Sequence, residues 1–347
     1  MIAVLGGGAM GAALAVRWAT AGAEVALLGT DFDTPVLAAI RDGRAHPALG
    51  VSLHPALTYW SCDQWGSVLP EAEVIVVALS SAGLRGPVAI GAQSARADAP
   101  WVIATKGWQE DTFESPSEVV GSILGSHQRT VSLAGPALAA EVVAGEPTAF
   151  VFAAHDADLG KRVARSLRSN TTATVVTDDV VGAETASAYK NVVAIAVGMC
   201  EGLSERFAQS ALNRTFANGR AAVFAQGMTD MVRLVEAKGG RASTVLGLAG
   251  AGDLYVTCLG GRNGRFGRLV GAGATPEQAL KAIGSTVEGI ANTKAALGLA
   301  SKLMIDLPTA RTVDFLLREE IAGEEGFQRL LALFAMALSS STYRPST

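Results

Sequence analysis

Six residues near the start of the chain, Gly6-Gly-Gly8-Ala-Met-Gly11, constrain its fold more than any others. They follow a short apolar run at 2–5 and open a helical pattern at 9–21. A strand that passes through glycines straight into a helix leaves few choices. Gly6 permits a tight turn, Gly8 lets the backbone approach a pyrophosphate, and Gly11 permits close packing of the helix. The helix N-terminus adds amide donors and partial positive charge, so Ala9 and Met10 belong to the same anion-facing turn. A structural glycine turn is the alternative, but the position directly after a strand favours a dinucleotide loop.

The pattern that follows is consistent with that start. Apolar runs at 24–28, 74–79, 101–104, 130–133, 148–153 and 174–177 read as further strands, and helical patterns fall at 35–42, 84–95 and 159–169. Such alternation predicts a parallel sheet covered by helices on both faces. From about Asp179 onward the periodicity is helical, with segments expected at 180–202, 220–238, 276–283, 289–298, 308–318 and 326–339. The expected organisation is a Rossmann-type doubly wound α/β domain over 1–178, an all-α substrate-binding domain over 179–339, and a solvated tail over 340–347. The pair Asp178-Asp179 is placed to start the first helix of the second domain.

Composition narrows the function classes. At 347 residues, with 49% hydrophobic and 17% charged residues, the chain is globular and long enough for two cores. A net charge of −4 argues against a nucleic-acid surface. The three cysteines (Cys62, Cys200 and Cys258) are scattered and odd in number, which fits neither a disulfide framework nor a metal site. No basic leader precedes the first strand, and no uncharged run is long enough to span a bilayer. A cytoplasmic protein without membrane insertion is expected.

The second predicted strand ends at Leu28-Gly-Thr-Asp31. Asp31 stands where an acid can bond the ribose hydroxyls of NAD, whereas NADP usually calls for a cation there. NAD is therefore the expected cofactor, with NADP as the other choice. Asp31 or Asp33 equally suits a cap for the helix entered at Pro35, and both readings stand.

Lys190 lies in a helical run at 182–198, with Ala186, Ser187, Val193 and Ala194 as its same-face neighbours. All four are small or apolar, so the amine points at a packed surface. Burial disfavours an ammonium, and a lysine so placed suits general acid–base work. A lysine that snorkels or pairs with a buried carboxylate is the bland alternative. Lysines are scarce: there are seven, and Lys106 is the first. It sits in Ala104-Thr-Lys-Gly107, just past a predicted strand, where the ligand crevice of an open α/β sheet lies. A third segment, 247–263, crowds small residues around Asp253. It ends in a Gly260-Gly261 turn presenting Arg262 and Asn263, which suits an anion as well as it suits a hinge.

Together these segments resemble the soluble NAD-dependent glycerol-3-phosphate dehydrogenases over nearly the whole chain. The resemblance rests on the glycine loop, Ala104-Thr-Lys-Gly107 and Ala134-Gly-Pro-Ala-Leu-Ala-Ala-Glu-Val142. It also rests on Lys190-Asn191, Gly252-Asp-Leu254, Thr257-Cys258, Gly260-Gly-Arg-Asn263 and Val287-Glu-Gly289. It implies hydride transfer between nicotinamide and a small phosphorylated substrate. Lys190 would be the general acid/base and Lys106 a second lysine touching substrate and cofactor. Asp253 and Asn191 would be polar partners of the chemistry, and Thr257, Arg262 and Asn263 would hold the phosphate. Gly135 would line the substrate, while Ala139, Arg262 and Glu288 would be cofactor contacts. A homodimer is also expected. No histidine is given a role.

The chain departs from the bacterial pattern at Ala137 and Gly261, where serine is common, and the stretch 204–218 is longer than usual. A related dehydrogenase of another phosphorylated polyol or a β-hydroxy acid is the nearest alternative. A non-catalytic NAD(H) sensor is the other, against which the set Lys106, Lys190, Asp253, Arg262 and Asn263 argues.

Overall fold

The computed structural model describes residues 1–207 and 216–318. The chain forms two compact units. The first comprises residues 1–109 and 114–184, the second residues 110–113 and the chain from Thr185 onward. The expected helix at 326–339, the tail at 340–347 and the middle of the 204–218 stretch lie outside the described residues.

The first unit is an eight-stranded sheet: β1 (Ile2–Leu5), β2 (Val25–Leu28), β3 (Thr58–Trp60), β4 (Val74–Val77), β5 (Trp101–Ile103), β6 (Thr130–Ala134), β7 (Thr148–Ala153) and β8 (Thr172–Thr177). The order across the sheet is β3-β2-β1-β4-β5-β6-β7-β8. Its helices are α1 (Ala9–Thr20), α2 (Thr34–Arg41), α3 (Trp65–Val68), α4 (Arg85–Ala92), α5 (Pro116–Leu124), α6 (Ala139–Val143) and α7 (Ala157–Ser166). Strand side chains alternate between two apolar layers. Val4, Val76, Val102 and Phe152 enter one, while Leu5, Ile75, Val77 and Ile103 enter the other. Burial on both faces explains why these strands read as continuous apolar runs.

Two features correct the sequence reading. The sheet is not wholly parallel, because β6 and β7 pair antiparallel, Leu133 opposite Phe152. The short link between them, carrying only α6, brings the chain back alongside rather than over the sheet. The strand β3 and the helices α3, α5 and α6 were also not expected. β3 has only three residues and Pro116 opens α5 behind a Ser115 capping box, so neither gives a long periodic signal.

The helix after the glycine loop is tied down from its far end. Arg17 on α1 is buried and donates to Ser169 Oγ (3.2 Å), Thr172 Oγ1 (2.8 Å) and the main-chain oxygens of Glu146 (2.9 Å) and Thr171 (2.7 Å). Its neighbour Trp18 donates to Leu167 O at 3.0 Å. These bonds fix α1 against α6 and the β8 edge.

The described part of the second unit is helical. α8 (Val180–Phe207) starts in the first unit and continues into the second, with Asp179 Oδ1 accepting from Gly182 N at 2.9 Å to cap it. It is followed by α9 (Ala217–Ala237), α10 (Ala242–Leu246), α11 (Asp253–Gly260), α12 (Arg262–Gly271), α13 (Pro276–Ile283), α14 (Glu288–Leu303) and α15 (Pro308–Arg318). Side chains 185–196 of α8 are all buried, as befits a helix apolar on every face. α8 and α12 meet backbone to backbone. A Cβ on Gly198 or Gly202 would overlap carbonyls of α12, and one on Gly267 or Gly271 would overlap carbonyls of α8.

Candidate active site

In the first unit the glycine loop leaves β1 where the strand order reverses, since β1 is flanked by β2 on one side and β4 on the other. This is the topological switch point at which open α/β sheets bind ligands. Gly6 has φ +108°, and a Cβ there would lie 2.5 Å from Ala78 O. Gly8 caps α1, is exposed, and has open space where a Cβ would stand. A phosphate group therefore fits against the α1 N-terminus, beside half-buried Ala9 and Met10, with Gly11 packed on the Gly6 carbonyl.

The two acids after β2 divide their duties. Asp33 Oδ2 accepts from both Thr30 N and Thr30 Oγ1 at 2.8 Å, so it serves the turn. Asp31 is exposed, and its main-chain oxygen accepts from Thr34 Oγ1 at 2.9 Å. Asp33 is thus committed to the turn before α2, at whose N-cap it stands without a side-chain capping bond, and Asp31 remains the candidate for the ribose. Lys106 is half-buried in the turn after β5. Gly135, with φ +105°, directly follows β6, and Ala139 is the first residue of α6 and half-buried.

In the second unit the predicted residues gather around Lys190. Its side chain is 7% exposed, and Nζ donates to Asp253 Oδ1 (2.5 Å) and Thr257 Oγ1 (2.8 Å). Asp253 and Thr257 stand one turn apart on α11, and Thr257 Oγ1 also donates to Asp253 O at 2.6 Å. Lys190 is therefore both buried and paired with a carboxylate, so the two alternatives drawn from its helix are not exclusive. Asp253 supplies the countercharge that a buried ammonium needs, from the first turn of α11 where the helix dipole favours an anion.

The next residue on α8 completes a chain of amides. Gly289 N donates to Asn263 Oδ1 (2.8 Å), and this backbone donor sets which way the amide faces. Asn263 Nδ2 then donates to Asn191 Oδ1 at 2.9 Å. Asn191 Nδ2 is left buried with no hydrogen-bond partner among the described residues. An orphaned donor beside a buried lysine suits an oxygen-rich ligand. Reading the motifs missed Gly289 as the residue that orients Asn263. It lies in the noted Val287-Glu-Gly289 run, but nothing local marks its N–H.

Arg262 is the first residue of α12, half-exposed, with Nη2 3.5 Å from Glu288 Oε1 at the start of α14. The Gly260-Gly261 turn of the sequence reading is thus a break between two helices: Gly260 ends α11 and Gly261 caps α12. The paired glycines masked the helical periodicity on either side. A Cβ on Gly261 would approach Thr257 O to 2.7 Å, so this chain has little room for the serine common there in bacteria. Ala137, the other departure, is half-buried. Burial pushes the Cys200 and Cys258 thiols each up to about 12, which disfavours either as a nucleophile.

The family profile described as NAD-dependent glycerol-3-phosphate dehydrogenase N-terminus matches residues 1–160, and its C-terminus counterpart matches residues 179–328. A glycerol-3-phosphate dehydrogenase [NAD(P)+] of Thiobacillus denitrificans is 36% identical over 334 residues, covering 95% of this chain and 97% of that protein. An NADP(+)-dependent glycerol-3-phosphate dehydrogenase of Archaeoglobus fulgidus is 32% identical over 332 residues, covering 94% and 97%. Among solved structures, the glycerol-3-phosphate dehydrogenase of Coxiella burnetii superposes with a TM-score of 0.83 at 30% identity, covering 95% of this chain and 98% of that one.

Proposed function

The chain belongs to the NAD-dependent glycerol-3-phosphate dehydrogenase family, and on that premise we propose that it interconverts sn-glycerol 3-phosphate and dihydroxyacetone phosphate. The cofactor is NAD(H), with NADP(H) the second choice that the relatives' names allow. The observation that carries the reading is the Lys190 amine, buried between the Asp253 carboxylate and the Thr257 hydroxyl.

A bound nicotinamide supplies the hydride in one direction and accepts it in the other. In the first unit Gly6, Gly8, Ala9, Met10 and Gly11 would cradle its pyrophosphate and Asp31 its ribose, with Lys106 and Ala139 as further contacts. In the second unit Arg262 and Glu288 are the candidates. As negative charge builds on the ketone oxygen, the Lys190 ammonium stabilises it and delivers the proton. In the reverse direction the amine takes the hydroxyl proton. Asp253 and Thr257 hold Nζ in one place, so its direction is set before substrate arrives. The orphaned Asn191 Nδ2 gains a partner when a substrate oxygen approaches. The Arg262 guanidinium fork suits the phosphate, and exchanging Glu288 for phosphate oxygens strengthens its bonding. Thr257 and Asn263, the other phosphate candidates, use their described bonds to orient Lys190 and Asn191. Lys106 and Gly135 complete the substrate contacts suggested by the family resemblance.

The test is NADH oxidation with dihydroxyacetone phosphate, beside NADPH and unphosphorylated dihydroxyacetone. Turnover that needs the phosphate is expected. NADH binding without turnover of that ketone would move the enzyme to another substrate, or make it a sensor. The proposal extends to a cytoplasmic homodimer, which the family resemblance suggests, with no nucleic-acid partner, which the net charge of −4 supports; no helix among the described residues is long and apolar enough to cross a membrane. Sedimentation of a monomer at assay concentration would remove the dimer.

A further inference from the structure

We infer that His46 is a positioning residue for cofactor binding: it aims the glycine loop by holding the Gly7 carbonyl. The inference rests on the proposal that this loop binds a nicotinamide dinucleotide. His46 is wholly buried in the first unit, thirty-nine residues from Gly7 in the chain. Its Nδ1 accepts from Ala48 N at 3.2 Å. A main-chain N–H can only donate, so Nδ1 carries a lone pair and the ring proton sits on Nε2. Nε2 lies 2.8 Å from Gly7 O and therefore donates to it. Both ring nitrogens are used, and the imidazole is held in one tautomer.

The support under the ring is also fixed. His46 N donates to Val51 O and Gly50 N donates to His46 O, both at 2.8 Å, so the 46–51 loop closes on itself. The imidazole thus stands on a rigid base rather than on a free side chain.

Peptide geometry carries this bond to the ligand side. The chain has no cis peptide bond among its described residues, so the Gly7 C=O and the Gly8 N–H point in opposite directions across one plane. Gly7 is buried and Gly8 exposed. Fixing the carbonyl inward fixes the next N–H outward, at the cap of α1 where a pyrophosphate would bind. Three consecutive glycines have wide conformational freedom, so the loop needs such an anchor more than most.

The experiment compares His46→Gln with His46→Met. The two side chains have similar length, but only Gln has an amide that can donate to Gly7 O. NADH affinity is read by fluorescence titration without substrate, beside the melting temperature and the separate KM values for NADH and dihydroxyacetone phosphate. His46→Met is expected to weaken NADH binding about tenfold, the scale of a lost buried hydrogen bond. Its KM for NADH should rise while that for the ketone does not follow. His46→Gln should restore NADH affinity to within about threefold. Folded His46→Met with wild-type affinity would overturn the inference. So would folded His46→Gln with a tenfold loss, which decides the matter even if the Met variant fails to fold. A wild-type protein that binds neither NADH nor NADPH would instead sink the cofactor assignment.

Discussion

A buried lysine is tolerable only when something answers its charge, and here Asp253 does so at 2.5 Å. Replacing Lys190 with alanine should lower turnover by ~10²–10⁴, the usual scale of a general acid–base group. NADH affinity should stay near wild type, because the glycine loop belongs to the other unit. Turnover per folded molecule that survives the change would remove Lys190 from the chemistry. A second residue-scale prediction concerns Glu184, in the second turn of α8. Its carboxylate accepts from Ser117 N (3.0 Å), Ser117 Oγ (2.6 Å) and Ser132 Oγ (2.8 Å), yet burial pushes its pKa above the ordinary 4.5 despite those bonds. An acid with a raised folded pKa binds its proton more tightly when folded. Its stabilising contribution is full below 4.5 and is lost as pH rises through the folded value. Glu184→Gln lacks that loss, so its stability relative to wild type should increase as pH rises across this window. Urea melts at several pH values would show it, and a constant or falling difference would contradict it. Of these two residues, Lys190 was legible because its helical neighbours are all small or apolar. Glu184 was not, since its serines lie 67 and 52 residues away.

At the scale of elements, the decisive contact is that of α8 with α12. Gly198 and Gly202 on one helix, and Gly267 and Gly271 on the other, let the two backbones touch. This brings Asn263, at the start of α12, onto Asn191, at the middle of α8. Gly267→Ala puts a methyl against the carbonyl of Ile195 and should cost about 1–3 kcal/mol, the usual scale of overpacking. A thermal melt unchanged by it would show that the helices can part freely. Gly261→Ser tests the break between α11 and α12 in the same way. Its Cβ pushes on Thr257 O, so turnover should fall through displacement of the Lys190 partner. Full activity would mean the turn absorbs the side chain. The long helices of the second unit were legible from periodicity, α13 to both its ends and α15 at its start. α11 and α12 were not, because Gly260 and Gly261 between them read as a loop.

At the scale of the whole molecule, the proposed parts of the chemistry fall in different units: the candidate dinucleotide loop in one, the buried lysine in the other. A ligand that binds the folded state adds stability by mass action, about 2.7 kcal/mol at a hundred times its Kd. Hydrogen exchange with NADH should therefore show protection over residues 1–31, at the glycine loop and the start of α1. Protection confined to the second unit would refute the loop as the cofactor site. The division of the chain into α/β and all-α parts was readable, because alternation and helical period each persist over many residues. The antiparallel β6–β7 pair was not, since strand direction leaves no trace in the alternation of side chains.

The sequence by itself determined what is local. It specified the strand–glycine–helix turn at Gly6–Gly11, the apolar surround of Lys190, the scarcity of lysines that drew attention to Lys106, and the change from alternation to helix near Asp179. Side-chain period within one element reports which face will be buried, and steric demand at a turn reports where glycine must stand. Only the tertiary structure decided the pairings. Asp253 meets Lys190 from 63 residues away, and Gly289 orients Asn263 from 26. His46 reaches Gly7 from a loop that no motif marks. The physical reason is one of range: a periodic pattern says that a face will be covered, but which group covers it depends on how separate elements pack.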